Sequence, residues 1–170
     1  MGLSPGPAQV DQLGTRAAPP IVWARSTHHS ERRGAAVRWI VLHADVSPRE
    51  SSTVSWILSA ASKVSYHALV HRDGKVTRFV VDSRAAWACG ASEYGGVVGL
   101  NRHTLSLAFA NRHDGLERLT DAQVDAARWL IEDWRARHPS IEGILTHAMI
   151  SPGRKRDPTL IPNFYRHDYT

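Results

Sequence analysis

Val37-Arg-Trp-Ile-Val-Leu-His43 is the stretch that decides both the fold and the chemistry of this chain. A run dominated by β-branched and aromatic residues reads as a buried strand, and this one closes on an imidazole. The pattern returns late in the chain, where Gly143-Ile-Leu-Thr-His147 reads as a second such strand closing on histidine. Gly153-Arg-Lys-Arg-Asp-Pro158 follows, with Asp157 in a loop bracketed by glycine and proline. If the three side chains meet at one sheet edge, two imidazoles and a carboxylate leave zinc one open position, the ligand count of a catalytic rather than a structural site. Taken singly, each has a plain explanation: most histidines are surface or hydrogen-bonded core residues, and Asp157 can cap a turn before Pro158. Their joint placement is what points to a metal.

Outward from the first strand, strand-like and helix-like apolar runs alternate, with no internal repeat, so the body reads as one α/β domain. Ser51 or Ser52 can cap a helix reaching Ser62, with Val54, Ile57, Leu58 and Ala61 on one face. Ser65–His71 and Lys75–Val81 form a hairpin through Arg72-Asp73-Gly74. Residues 86–103 contain several glycines, Trp87, Tyr94 and Asn101, follow neither period, and read as a loop of the kind that carries sites beside a sheet. Leu105–Ala110 is a further strand. Thr120-Asp-Ala-Gln123 matches a capping box opening the longest helix, which runs to about His138 and is stopped by Pro139. Val124, Ala127, Ile131 and Trp134 give it a buried stripe, while Asp121, Asp125, Arg128 and Arg135 face water. Trp23, Trp39, Trp56 and Trp129 are assigned to packing with Trp134.

The 170 residues, 42% hydrophobic, suffice for one core, set here at residues 21–170 behind a Gly-, Pro- and Ala-rich flexible arm over residues 1–20. A balance of 21 Lys+Arg against 16 Asp+Glu leaves a formal charge of +5, which suits an anionic partner: nucleic acid, cell-wall polymer or membrane surface. Nucleic acid has charge alone in its favour, without a helix-turn-helix, zinc-finger or RNA-recognition signature, so no specific nucleic-acid partner is expected. The single cysteine, Cys89, excludes an intramolecular disulfide, a Cys-based zinc ribbon and a CxxC pair. No Gly-x-Ser-x-Gly elbow supports a serine hydrolase. Met1-Gly-Leu-Ser-Pro-Gly-Pro7 lacks the features of a signal peptide, and no run approaches the roughly 18 apolar residues that span a bilayer. Cytoplasmic synthesis as a soluble monomer is the expectation.

Several fragments, in their order and spacing, resemble one family. They are Ile40-Val-Leu-His43, Val64-Ser-Tyr-His-Ala-Leu-Val-His-Arg-Asp-Gly74, Ala86-Trp87 with Gly90, Asn101 followed by Leu105-Ser-Leu-Ala-Phe-Ala110, Leu119-Thr-x-x-Gln123, and Thr146-His-Ala-Met-Ile-Ser-Pro-Gly-Arg-Lys-Arg-Asp-Pro158. The pattern is similar to the zinc-dependent N-acetylmuramoyl-L-alanine amidases, the type that includes phage amidase lysozymes and the peptidoglycan recognition proteins. The resemblance spans about residues 35–165. It implies a central mixed β-sheet flanked by helices, a zinc ion in a surface groove, and hydrolysis of the amide joining muramic acid to L-alanine in peptidoglycan or a muropeptide.

Carried over residue by residue, the resemblance makes His43, His147 and Asp157 the zinc ligands, Asp157 standing where other members have Asp or Cys. Members that only bind peptidoglycan have typically lost a ligand there, so the intact set argues for a hydrolase over a binding module. An amide is a poor electrophile and neutral water a poor nucleophile; zinc lowers the pKa of its water to about 7 and polarises the carbonyl. The resemblance places the Lys155 ammonium beside the developing oxyanion and the Tyr66 phenol near the metal, both as catalytic groups, and puts Trp87 and Asn101 in the groove as substrate-binding residues. Lys155 also reads as one member of a solvated basic run with Arg154 and Arg156, and Trp87 as a core residue. Strand alternation sets His67 opposite Tyr66, in a structural role; His71 and His103 are unassigned.

Two departures stand out. Ala110 occupies the place where some cytosolic amidases of the family have a water-activating glutamate, and Trp87-Ala88-Cys89-Gly90 lacks the family's groove histidine. Cys89 reads as a small buried residue. The pattern is nearest to phage enzymes, so the expected role is a phage or prophage endolysin, made without a signal peptide and acting on the cell wall after release. A muropeptide-recycling amidase is the rival.

Overall fold

The structure, a computed structural model, describes residues 17–169; of the expected N-terminal arm, residues 1–16 lie outside the described residues. In chain order the strands and helices are β1 (Ile21–Trp23), β2 (His29–Glu31), β3 (Trp39–Ala44), α1 (Glu50–Leu58), β4 (Ala68–Val70), β5 (Val76–Arg78), β6 (Arg84–Ala86), β7 (Glu93–Tyr94), β8 (Val97–Val98), β9 (Thr104–Phe109), α2 (Asp121–Arg137), β10 (Gly143–Thr146) and α3 (His147–Ile150). The main sheet has the order β1-β5-β4-β9-β3-β10. The β4–β5 hairpin is antiparallel and every other neighbouring pair in that sheet is parallel, which makes it the mixed sheet expected.

Parallel strands must be covered on both faces, because each face is apolar. Along β3, Ile40, Leu42 and Ala44 pack with Leu105, Leu107 and Phe109 of β9 against Val124, Ala127, Leu130, Ile131 and Trp134 of α2. The alternate residues, Trp39 and Val41, join Cys89, Leu100, Leu145 and Ile150 on the other side. The period of two therefore carries His43 to the face away from α2. α1 covers the neighbouring part of that face through Ile57, which packs with Leu69, Phe79, Ala108 and Ala110.

Helix α2 opens on the expected capping box: the Thr120 side chain accepts the Gln123 N–H, and the Gln123 side chain accepts the Thr120 N–H. Gln123 is also fully buried, and its Nε2 donates to the carbonyls of Val70 (3.3 Å) and Ala110 (3.0 Å). One side chain thus starts the helix and ties it to the ends of β4 and β9.

Helix α1 is shorter than its pattern suggested. It begins at Glu50 with no side-chain cap, ends at Leu58, and buries only Thr53 and Ile57; Leu58 is exposed. Its start is held from outside, by the Thr53 hydroxyl donating to Asp45 Oδ2 (2.6 Å) and by Glu50 accepting the Arg72 N–H (2.6 Å), neither of which leaves a local sequence signal. The region 86–103 is more ordered than a plain loop, containing the end of β6, the β7–β8 hairpin and a 3₁₀ turn at Leu100–His103. Two tryptophans assigned to packing are half-exposed: Trp23 lies under the guanidinium groups of Arg25 and Arg78, and Trp56 faces outward from α1.

His67 and Tyr66 do point apart. Tyr66 turns toward His43, with ring centroids 5.3 Å apart, whereas His67 meets Trp134 edge-on. The His67 ring accepts the Ser106 N–H at Nδ1 (3.0 Å) and donates from Nε2 to the Arg84 carbonyl (3.0 Å), a fully satisfied neutral imidazole. Burial, reinforced by the nearby Arg32 charge, pushes its pKa down to about 3. His71 bridges Glu50 (3.1 Å) and Thr77 (2.7 Å), linking α1 to the hairpin.

Leu130→Ala should cost about 2–5 kcal/mol and Thr120→Ala about 1 kcal/mol, read from urea unfolding midpoints; equal losses would contradict this account of α2. Acid should destabilise the protein through His67. The unfolded histidine takes up a proton below its ordinary value near 6.5 and the folded one only near 3, so stability is lost as pH falls through that window. Urea midpoints measured from pH 7 to pH 4 should decline, with a shallower decline in His67→Gln.

Candidate metal centre

β3 and β10 are parallel neighbours with Leu42 opposite Thr146, so the next residue of each strand, His43 and His147, comes side by side at the carboxyl edge of the sheet. Open sheets with parallel strands place their sites at this edge. His147 is also the first residue of α3, whose start is capped by the Thr146 hydroxyl accepting the Met149 N–H (3.2 Å). The chain leaving α3 turns back and lays Asp157 over the pair, its carbonyl accepting the Ala148 N–H (3.0 Å). All three side chains are buried.

Nδ1 of His43 lies 3.0 Å from Nδ1 of His147, and Asp157 Oδ2 lies 3.1 Å from the second and 3.7 Å from the first. His147 Nε2 sits 3.2 Å from the Cys89 carbonyl, which can only accept, so Nε2 carries the ring proton and Nδ1 a lone pair. That lone pair faces a carboxylate oxygen and a second imidazole nitrogen. A proton on His43 Nδ1 would have to be shared between two acceptors 3.0 and 3.7 Å away; a divalent cation serves all three atoms at once. An ion with bonds of about 2.0–2.1 Å holds tetrahedral ligand atoms about 3.3 Å apart, a value the three separations bracket. The residues present fit zinc.

Electrostatics supports ligation. Burial pushes His43 down to about 4, with the Lys155 charge adding to it against the pull of Asp157, so its lone pair is available at neutral pH. Burial works against ionisation of Asp157, but the two imidazoles beside it outweigh burial and hold the carboxyl well below its usual range. Burial raises the Tyr66 phenol, and the negative charges of Asp157 and Asp45 raise it further, so it keeps its proton at neutral pH.

The remaining expected site residues fall into two groups. Tyr66 and Lys155 border the triad, Tyr66 by its ring against His43 and Lys155 through its charge on that imidazole. Trp87 and Asn101 belong to the loop wall beside it. Trp87 is half-buried with its indole 5.6 Å from the His28 ring, and its N–H donates to Ser65 Oγ (3.0 Å). The Asn101 carbonyl oxygen is committed to the backbone, accepting the N–H groups of Ala88 (3.2 Å) and Cys89 (2.8 Å). Ala110 is buried and brings no carboxylate to the site.

Two features lay beyond sequence reasoning. The Cys89 side chain is the small buried residue expected, yet its backbone carbonyl is what holds His147. Asp45 accepts from the Asn111 N–H (2.9 Å), the Ser47 N–H (3.2 Å) and Thr53, pinning the loop after β3. With Ser47, Ser52, Thr53, Trp56, Ile57, Val64 and Tyr66 it lines a cavity of about 310 Å³ that leads away from the triad along α1.

Known proteins share this fold. The 1,6-anhydro-N-acetylmuramyl-L-alanine amidase AmpD of Citrobacter freundii is 32% identical over 99 residues, covering 56% of this chain and 51% of that protein. The chain thus spans about half the length of the curated relatives it matches. The amidase AmiD of E. coli, solved with anhydro-N-acetylmuramic acid-L-Ala-D-γ-Glu-L-Lys, superposes with a TM-score of 0.65 at 24% identity over 79% of this chain and 56% of that one. The endolysin amidase LysCS of Clostridium intestinale superposes with a TM-score of 0.55 at 17% identity over 90% of this chain and 99% of that one; at such identities the two structures speak for the fold alone. Residues 33–160, well over half of the chain, match the Amidase_2 family, described as N-acetylmuramoyl-L-alanine amidase. On that match, and on the mixed sheet that carries the triad at its carboxyl edge, the chain belongs to the N-acetylmuramoyl-L-alanine amidase family.

Proposed function

We propose that this protein is a zinc-dependent peptidoglycan hydrolase that cuts the amide between the lactyl group of N-acetylmuramic acid and L-alanine, with residues 21–170 as the catalytic domain. The convergence of His43 Nδ1, His147 Nδ1 and Asp157 Oδ2 within 4.8 Å carries this reading. A protein that only binds the polymer has no use for three converging acceptors.

These three residues would hold the zinc. When bound, zinc supplies a water acidified toward neutrality and a Lewis acid for the scissile carbonyl. The chain supplies the rest. Lys155, on the loop that carries Asp157, offers an ammonium to the oxyanion that forms as the carbonyl carbon becomes tetrahedral. Tyr66, protonated because burial raises its pKa, donates a hydrogen bond at the same centre. Trp87 offers an aromatic face on one wall of the groove, and the cavity along α1 offers hydroxyl groups and the exposed Trp56 on the other.

Two substrates of this chemistry need separating. The name of the matched Citrobacter relative supports a soluble anhydromuropeptide, the recycling role. The endolysin role, acting on the wall after release, is supported by the family pattern in which Ala110 replaces the glutamate. No helix among the described residues is long and apolar enough to cross a membrane.

Incubation with purified sacculi and, separately, with anhydromuropeptides, followed by mass spectrometry, should release peptides with a free L-alanine amino terminus. Chelation or His147→Ala should abolish release. Sacculi bound but uncut, by protein that takes up no zinc, would leave a recognition module. Cleavage confined to soluble fragments would assign recycling and remove the endolysin role. Lys155→Ala should lower kcat about 10²–10³-fold and Tyr66→Phe about 10-fold, with zinc content unchanged in both.

A further inference from the structure

Arg154 stands in sequence between two metal-site residues, His147 and Asp157, and its guanidinium reaches the loop after β6. Its Nη2 lies 2.7 Å from the Cys89 carbonyl, 2.7 Å from the Ala91 carbonyl and 2.7 Å from Ser151 Oγ, two hydrogens shared among three oxygens. The preceding peptide is held as well, the Cys89 N–H donating to Asn101 Oδ1 (2.8 Å), so that the residue is fixed at both its N–H and its carbonyl. Between these grips the same carbonyl accepts His147 Nε2 (3.2 Å). Gly90 accommodates the clamp: its φ is +60°, and a Cβ there would stand 3.3 Å from the guanidinium.

We propose that Arg154 and Asn101 are positioning residues for the metal centre, holding the Cys89 carbonyl so that it fixes the tautomer and tilt of the His147 ring. The proposal rests on the zinc reading above. The imidazole swings about its Cα–Cβ and Cβ–Cγ bonds, and a partner at Nε2 is what aims the Nδ1 lone pair at the ion; loss of such partners typically weakens metal affinity 10–100-fold. The carbonyl cannot do this unless its own peptide is immobile. Residues 88–91 contribute no strand or helix, so their fixation falls to side chains: Arg154 holds the peptide that carries the Cys89 carbonyl, and Asn101 holds the peptide before it. Arg154 is an exposed residue, yet its guanidinium is engaged by the Cys89 and Ala91 carbonyls and Ser151 rather than by solvent alone.

The test is zinc affinity, by competition with a chromophoric chelator, in Arg154→Met, Arg154→Lys and Asn101→Ala. The visible spectrum of the cobalt(II)-loaded proteins and urea unfolding of the metal-free proteins accompany it. Zinc binding 10–100-fold weaker in Arg154→Met and Asn101→Ala, partial recovery in Arg154→Lys, a shifted cobalt spectrum and near-normal unfolding of metal-free Arg154→Met are expected. Affinity within twofold of the parent in both variants overturns the proposal, as does a loss matched by equal destabilisation of the metal-free protein. A parent that binds no zinc overturns the metal reading and this inference with it; a parent that binds zinc, with variants that bind equally, overturns this inference alone.

Discussion

The in-register parallel pairing of β3 with β10 is the constraint on which the rest of the structure depends. Neighbouring parallel strands end at the same edge of a sheet, and with Leu42 opposite Thr146 two residues far apart in sequence arrive there together. A slip of one residue would turn one imidazole to the opposite face, because side chains alternate along a strand. The register is protected by burial: every residue of β3 is buried, with Ile40 and Leu42 committed to the α2 core and Trp39 and Val41 to the other. The same alternation that packs the core therefore aims the metal site.

Around that pair the chain satisfies buried polar groups in a way that leaves one set facing inward. His67 and His71 each bond at both ring nitrogens, as buried imidazoles must to avoid the penalty of an unpaired donor or acceptor. The triad differs. Nε2 of His147 is tied to the Cys89 carbonyl and Nε2 of His43 is buried without a partner among the described residues, while the two Nδ1 atoms converge on Asp157 Oδ2, which also accepts the Ala44 N–H (3.4 Å). That arrangement is costly as it stands and becomes favourable around a cation. With the zinc proposed above, binding would complete the packing at this edge, as in many sites whose ligands come from separate elements.

The loop after β6 shows why a site has more parts than its ligands. Asn101, Cys89, Arg154 and Ser65 form a wall stitched mostly by side chain to backbone, which meets the triad through the Cys89 carbonyl and packs Trp87 beside His28. On the other side of β3, Asp45 performs the same service for the turn into α1. Neither wall has a regular ladder of its own, and each relies on one polar side chain that meets several backbone groups.

Reading the chain from its residues alone reached the α/β class, the β4–β5 hairpin, the capping box and stripe of α2, and the three converging side chains. Each of these is written in a period, a cap or a turn within a short window. Helix α1 was misjudged in its bounds because Asp45 and Arg72, not a local cap, hold its start. Trp23 and Trp56 were misplaced because β1 is an edge strand and α1 is thinly covered, facts of position rather than composition. Asn101 was read as a substrate-binding residue, not as one whose side-chain oxygen accepts the backbone N–H groups of Ala88 and Cys89, and Arg154 was hidden in a basic run. The sequence by itself determined which groups can bind a cation and which strands carry them. Only the tertiary structure decided which nitrogen of each ring faces inward and which backbone carbonyl holds it there, because those depend on contacts between segments that share no local pattern.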